Sequence, residues 1–136
     1  MSKHLDQVRG YLLDLNLAII GEDEAEELLI VSDEENGINH LIVDIEDPIL
    51  VLEQLILEIP EGSEANGFFR RLLQMNRTLV HGAYVLDEEG RRLIFRDTLQ
   101  LENLNPNELE GSVQALSLAM AEHGSELLDF VHAAAR

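Results

Sequence analysis

Apolar residues recur along this chain with two different spacings, and each change of spacing predicts a change of secondary structure. At the start of the chain they stand three or four residues apart, as they do on one face of a helix. The first set is Leu5, Val8, Leu12 and Leu15. It predicts an amphipathic helix over residues 3 to about 15, with Ser2 as its N-cap.

Three short segments then follow that are rich in β-branched and other apolar residues. They span residues 16–21, 26–33 and 38–46, and acidic or glycine-containing turns separate them. This pattern predicts three strands. Asn36 and Gly37 tolerate positive φ, so the second and third strands are predicted to form a hairpin.

Residues 49–60 have an ambiguous pattern, because their isoleucines and leucines fit a helix about as well as a strand. Pro48 and Pro60 limit the segment to one short element. We predict a strand that bends at Glu53 and Gln54, with a buried helix as the alternative.

A second helix and a second hairpin are predicted next. A broad apolar stripe indicates a helix over residues 64–77, which Ser63 can cap. The stripe consists of Phe68, Phe69, Leu72, Leu73 and Met75. Residues 79–87 and 91–99 then flank a polar turn, which predicts two paired strands.

A long helix is predicted at the carboxyl end of the chain. Asn105 is a suitable N-cap, Pro106 suits a first helical turn, and Glu108 is placed to reach back as in a capping box. One face of the helix presents Leu109, Val113, Leu116, Met120, Gly124, Leu127 and Val131. Gly124 is expected to kink the helix or to allow the close approach of another backbone.

Together these elements predict one α+β domain over residues 1–136. The order is helix, three or four strands, helix, two strands and a long C-terminal helix, with three helices on a mostly antiparallel sheet of about five to six strands. The segment 95–104 is expected to join the last strand to the long helix. Its apolar residues Phe95, Leu99, Leu101 and Leu104 would anchor it to the core. Its polar residues would bind its backbone groups and cap the helix that follows, and they are Arg96, Asp97, Gln100 and Asn103.

The charge of the chain restricts its partners. Asp and Glu number 27 against 9 Lys and Arg, which gives a formal net charge of -18. Such a surface repels polyanions, so we expect neither nucleic acid nor an anionic membrane as a partner. The charge serves solubility or, alternatively, attracts a partner that has a basic segment.

The sequence predicts a cytoplasmic protein. Asp6, Arg9 and Asp14 interrupt the leucines of the amino terminus, which therefore lacks the apolar centre of a signal peptide. No apolar run approaches the length of a membrane span.

The sequence contains little that predicts catalysis, and we expect no enzyme activity and no cofactor. It lacks the phosphate-loop, dinucleotide, nucleophile-elbow and zinc-protease motifs, and it has no cysteine. Its five histidines are scattered, although His40 and His81 could meet if their strands were neighbours. The acidic residues 21–27 and 32–37 lack the calcium-loop spacing and are expected to be solvated turns.

Part of the chain resembles a known family. Residues 68–130 are similar to the Tir-chaperone, or CesT-like, family of type III secretion chaperones and its YbjN-like relatives. The resemblance lies in the helix 68–76, the segment 81–87, the strand and turn 95–104, and the end of the long helix at 123–130. The predicted order of elements and the acidic charge agree with it.

The resemblance implies a non-catalytic, homodimeric protein that binds an extended segment of a client or effector protein on apolar surface. The candidate client-binding residues are Leu5, Leu12, Ile19, Leu28 and Ile30. The alternative for each of them is an ordinary position in the core. The resemblance also allows a second function, a dimeric YbjN-like regulatory or structural domain with a folded partner and no secretion client.

The dimer interface is predicted on the second helix, at Phe68, Phe69 and Leu72. Two adjacent phenylalanines widen the apolar stripe beyond what one face of a small sheet can cover. The alternative is that the sheet and the terminal helix together cover both rings.

Overall fold

The computed structural model describes residues 3–134, with the side chains of all but residues 64, 65 and 134. The predicted cap Ser2 lies outside this range. The elements are α1 (Lys3–Asp14), β1 (Ala18–Asp23), β2 (Leu28–Asp33), β3 (Ile38–Glu46), β4 (Ile49–Glu58), α2 (Phe68–Asn76), β5 (Ala83–Leu86), β6 (Arg92–Gln100) and α3 (Pro106–Ala134). Short 3-10 turns precede β3 and α2. The predicted α+β fold and its order of elements are confirmed.

The six strands form one antiparallel sheet with the order β1-β2-β3-β4-β6-β5. The first four strands pair with their neighbours in the chain, whereas β6 lies between β4 and β5. The sheet therefore ends at β1 on one side and at β5 on the other. His40 on β3 and His81 before β5 do not meet, because β4 and β6 lie between their strands.

All three helices contribute to one core, which lies on one face of the sheet. Apolar side chains of α1, α2 and α3 form a single cluster with alternate residues of the strands. The strand residues of this cluster include Leu29, Val31, Leu41, Val43, Leu50, Leu52, Leu93 and Phe95. Alternation follows from the pleat of the sheet, which points successive side chains to opposite faces.

Residues 49–58 form a strand, as preferred, but the predicted bend at Glu53 and Gln54 is wrong. The register shift lies slightly later, between Leu55 and Leu57. Gln54 keeps regular pairing and is buried, where its side chain accepts a hydrogen bond from the Asn39 amide and donates one to the Gly37 carbonyl. Both polar ends of this side chain are therefore satisfied, one by β3 and the other by the turn that precedes it.

The predicted start of the second helix is also wrong. Ser63 begins a 3-10 turn that ends at Asn66, and its hydroxyl donates to the Pro60 carbonyl at 2.7 Å. Gly67 then adopts a φ of 82°, and α2 begins only at Phe68. This left-handed conformation breaks the helical repeat, so the 3-10 turn and α2 remain separate elements.

The start of α3 agrees with its predicted cap. The Glu108 amide donates to Asn105 Oδ1 at 3.0 Å, and Asn105 Nδ2 donates to Glu108 Oε1 at 3.0 Å. Asn105 therefore satisfies a free amide of the first turn. A Cβ placed on Gly124 would meet no atom within 4 Å, so the predicted close approach at Gly124 is wrong, and α3 is assigned as one continuous helix.

The apolar residues of the connection from β6 to α3 anchor it as expected, whereas α3 is capped by Asn105 and not by Asn103. Phe95, Leu101 and Leu104 are buried in the core. The Ser112 hydroxyl of α3 donates to Asp97 Oδ2 of β6 at 2.7 Å, so this carboxylate ties the strand to the helix that follows it.

Candidate protein-binding surfaces

The sheet has a second face, hereafter the open face, which the helices do not cover. Its apolar residues lie outside the core cluster and include Leu28, Ile30, Ile42, Val51, Leu55 and Ile94. Strand pairing places Ile30 beside Ile42 and Leu55 beside Ile94. Ile42 is 41% exposed and Leu55 is 51% exposed. The open face therefore presents apolar side chains from neighbouring strands to solvent.

The composition of the strands explains this face. Residues 28–31 and 49–52 are apolar at every position, and residues 41–43 continue the pattern on β3. Uninterrupted apolar runs are typical of strands that are covered on both faces. Because the helices lie on only one face here, every second apolar side chain of these runs points to the open face, where no helix covers it.

Charged residues interrupt the open face near its centre. Arg96 Nε lies 3.2 Å from Glu53 Oε1, and these two residues are paired across β6 and β4. Asp44 stands between Leu28 on β2 and Val51 on β4. Apolar neighbours on both sides remove water from its carboxyl group.

This position raises the pKa of Asp44 to about 6. Desolvation by burial is the largest cause, followed by a side-chain hydrogen bond with Glu46 and by repulsion from Glu46, Glu26 and Glu53. Each of these effects disfavours the ionised carboxylate. At the centre of the open face, apolar side chains therefore surround a group of residues with an excess of negative charge.

A second apolar surface lies between α2 and β5 and is called the α2–β5 groove below. It has a volume of about 310 Å³ and is lined by Phe69, Leu72, Leu73, Asn76, Tyr84, Val85, Leu86 and Leu93. Leu73 is 72% exposed at its rim. The groove lies beside β5, the last strand of the sheet.

Asn76 satisfies part of this sheet edge. Its Oδ1 accepts a hydrogen bond from the Tyr84 amide at 2.7 Å, and its Nδ2 donates to the Tyr84 carbonyl at 3.1 Å. The side-chain amide thus occupies both backbone groups of Tyr84, as a neighbouring strand would. A partner in the groove would therefore contact apolar side chains, because the backbone groups of Tyr84 are already hydrogen-bonded.

The predicted client-binding residues divide between the two faces of the sheet. Leu5 and Leu12 are fully buried in the core, which agrees with the alternative considered for them. Ile19 is partly buried against the same core. Leu28 and Ile30 lie on the open face and are partly exposed.

The predicted dimer residues also divide. The Phe68 ring is buried, with its centroid 5.0 Å from that of Phe130 on α3. Phe69 and Leu72 line the α2–β5 groove, although Leu72 is itself largely buried. The terminal helix therefore covers one of the two adjacent rings, and the other borders the groove.

Ile42 and Leu55 are exposed on the open face but were not among the predicted binding residues. Both residues belong to runs of consecutive apolar strand residues, and such a run places apolar side chains on both faces of the sheet. Leu73 was included in the stripe of the second helix, and only packing separates it from the buried Leu72.

The described residues contain no group of three or more His, Cys, Asp or Glu placed to hold a metal ion.

A buried polar contact joins Tyr84 to His123 on α3, with the hydroxyl 2.9 Å from Nδ1. Within residues 3–134, no helix is both long and apolar enough to span a membrane.

The fold and its surfaces define a class of protein, an α+β domain with a one-sided antiparallel sheet and two exposed apolar surfaces. The CesT_Tir_1 family model matches residues 1–133, and the chain belongs to this family. A comparison with curated protein sequences gives no significant match.

Solved structures share the fold at low sequence identity. E. coli YbjN has a TM-score of 0.68 and 16% identity, with 90% of this chain and 92% of that chain covered. The ExoU–SpcU complex of the Pseudomonas aeruginosa type III secretion system contains a chain with a TM-score of 0.64 and 18% identity, and 89% of this chain and 94% of that one are covered. The HopA1–SchA chaperone–effector complex gives 0.58 and 15%, with coverage of 83% and 86%.

Proposed function

We propose that this protein is a non-catalytic, cytoplasmic chaperone or adaptor that holds an extended segment of a client protein on its open face. The observation on which this proposal rests is the set of apolar side chains on that face, which extends over neighbouring strands without a covering helix. Covering such side chains would remove apolar surface from water, which stabilises a complex by about 25 cal/mol per Å² before the costs of association.

The proposed contacts include two of the predicted residues. Leu28 and Ile30 lie on β2, and Ile42 on β3 lies directly beside Ile30. A segment that runs along β3 can place an apolar side chain against both Ile30 and Ile42. Such a segment is held by its side chains, because the backbone groups in the middle of the sheet are engaged by neighbouring strands.

Family membership and the fold neighbours support a role in protein binding. Two of the neighbours come from protein complexes. ExoU–SpcU is described as a complex from a type III secretion system, and HopA1–SchA is described as a chaperone–effector complex. We extend only this kind of role to the present chain.

We also propose that two copies associate through the α2–β5 groove. Phe69 and Leu72 line it, and the exposed Leu73 at its rim supplies a side chain that a second copy would cover. Phe68 contributes indirectly, because its packing on Phe130 fixes the position of α2 against α3.

A fluorescent peptide tests the use of the open face. Its valines alternate with serines, so that one side of the extended chain is apolar, and one central valine is replaced by glutamine. We expect the peptide to bind the wild-type protein and to bind Ile42→Ser about tenfold more weakly, because the variant loses much of a buried isoleucine contact. Fluorescence anisotropy measures both affinities.

The matched control is Leu118→Ser on α3, where the leucine is 61% exposed and lies outside both proposed surfaces. This variant should bind the peptide as the wild type does. Equal binding by Ile42→Ser and the wild type, or no binding by any of these proteins, would contradict client binding on the open face.

A second candidate is a dimeric regulatory or structural domain that binds a folded partner. The likeness to YbjN, which is proposed to regulate transcription, favours it. This function predicts that the protein does not bind extended peptides. It also predicts that a folded partner slows the hydrogen exchange of backbone amides at the open face or the groove. The peptide titration therefore separates the two functions.

A further inference from the structure

Several acidic groups of the open face are concentrated around Asp44. Asp44 on β3 is influenced by Glu46 of the same strand, by Glu53 of β4 and by Glu26 of the β1–β2 turn. The nearby cation, Arg96 on β6, contacts Glu53. Negative charge therefore exceeds positive charge in this part of the face.

This charge restricts what can cover the face. A neutral segment laid over Asp44 would remove more water from a carboxyl group whose ionised form is already disfavoured, without supplying a partner. A second copy of this chain would bring the same carboxylates and a net charge of -18. A cationic side chain would lower the repulsion and replace the lost water.

We propose that the open face selects a basic client segment, one that places a lysine or arginine against Asp44 and Glu46 and apolar side chains against Ile30 and Ile42. This inference rests on the proposed client-binding function, and it specifies the chemistry of the client. It also gives the acidic character of the protein a role at a particular site.

The spacing of the strand residues suits such a segment. Side chains on one side of an extended chain are about 7 Å apart, since each residue advances by about 3.3 Å. Ile42 and Asp44 are likewise two residues apart on β3, and both point to the open face. A segment that runs along β3 therefore places one inward side chain over Ile42 and the next over Asp44.

The proton on Asp44 provides a readout that is specific to this site. The surrounding carboxylates and the apolar neighbours raise the pKa of Asp44 to about 6. At neutral pH the carboxylate attracts a cation, and at about pH 5 it is mostly protonated. Preference for a basic segment should therefore weaken on acidification over this range.

The test compares three forms of the valine–serine peptide that differ only in the central residue, which is glutamine, lysine or glutamate. At neutral pH and low salt we expect the lysine form to bind wild-type protein about fivefold more tightly than the glutamine form, and the glutamate form to bind most weakly. Asp44→Asn should reduce the preference for lysine to about twofold, since Glu46 and Glu53 remain. Acidification to about pH 5 should reduce it in the wild type.

Asp129→Asn is the matched control, because it removes one negative charge at an exposed position of α3. It should keep the full preference for lysine. An equal loss of preference in both variants would overturn the proposal in favour of a general effect of net charge. Equal binding of all three peptides would overturn it while leaving client binding intact, and no binding of any peptide would overturn both.

Discussion

The hydroxyl oxygen of Tyr84 lies 2.9 Å from Nδ1 of His123, and this contact joins the edge strand β5 to the long helix α3. Both residues are buried, and their rings meet edge to face with centroids 5.7 Å apart. Tyr84 also lines the α2–β5 groove, and Asn76 binds its backbone. One residue therefore connects the groove to β5, α2 and α3.

Tyr84→Phe should lower the free energy of unfolding by about 1 kcal/mol, because the substitution removes the hydrogen bond and leaves a buried histidine nitrogen without that partner. Urea unfolding at neutral pH measures the change. Tyr11→Phe is the control, since the Tyr11 hydroxyl lies in a more exposed position. An effect of Tyr84→Phe no larger than that of Tyr11→Phe would contradict a stabilising role for the contact.

The same residue predicts a dependence on alkaline pH. Burial, with a smaller contribution from Glu122, raises the pKa of Tyr84 above its ordinary value. The folded protein thus favours the neutral phenol, whose contribution to stability is present below the ordinary tyrosine pKa of about 10 and is lost as pH rises above it. Wild-type stability should fall more steeply than that of Tyr84→Phe between about pH 9 and pH 11. Parallel curves would contradict this assignment.

Gly82 should tolerate substitution poorly. It has a φ of 76°, and a Cβ at this position would lie 2.4 Å from Cζ of the buried Phe95. Gly82→Ala is therefore expected to destabilise the protein by about 3 kcal/mol or more, through backbone strain and a clash in the core.

The control for this prediction is Gly90→Ala. Gly90 has a similar φ of 73°, but a Cβ there would meet no atom within 4 Å. Backbone strain alone should cost about 1 kcal/mol. Thermal and urea unfolding of both variants separate strain from clash, and equal losses of stability would exclude the clash as the cause.

Ser112→Ala should destabilise the connection between β6 and α3. Its buried hydroxyl donates to Asp97 Oδ2 at 2.7 Å, and loss of a hydrogen bond to a charged group costs about 2 kcal/mol. Ser117→Ala, one of the more accessible serines of the same helix, should change the urea midpoint little. Similar midpoints for the two variants would contradict the anchoring role of Asp97.

Asp44→Asn should stabilise the protein at neutral pH. The folded state raises the pKa of Asp44 to about 6, so this carboxyl group favours folding when protonated and its contribution is lost as pH rises from about 4 to 6. The gain should be less than about 1 kcal/mol, because solvent screens a partly exposed group. Urea unfolding should give the largest difference at pH 7 and a small one near pH 4. A constant difference would contradict the titration of Asp44.

Leu73→Glu tests the proposed dimer. If the α2–β5 groove joins two copies, a charge at its exposed rim should convert a dimer into a folded monomer. Size exclusion with light scattering measures the mass, and circular dichroism checks the fold. Leu118→Glu on α3 should keep the wild-type mass. A monomeric wild type, or a dimer that survives Leu73→Glu, would contradict association through the groove.

Local patterns in the amino-acid sequence were sufficient to predict most of the secondary structure. The helical spacing of Leu5, Val8 and Leu12 is a property of neighbouring residues, and so is the capping pair Asn105 and Glu108. These signals predicted the helices, the hairpins and the α+β class. They failed at the start of α2, where Gly67 adopts positive φ and separates the helix from the turn that begins at Ser63.

The exposure of individual apolar residues depends on packing between elements that are distant in the chain. Leu12 and Ile30 have similarly apolar side chains, yet Leu12 lies on the buried side of α1 and Ile30 lies on the open face. Phe68 and Phe69 are adjacent, but Phe130 covers the first while the second borders the groove. Periodicity assigns a side chain to a face of its own element, whereas exposure depends on which distant elements cover that face. The candidate binding surfaces therefore emerged only when the helices were placed on one face of the sheet.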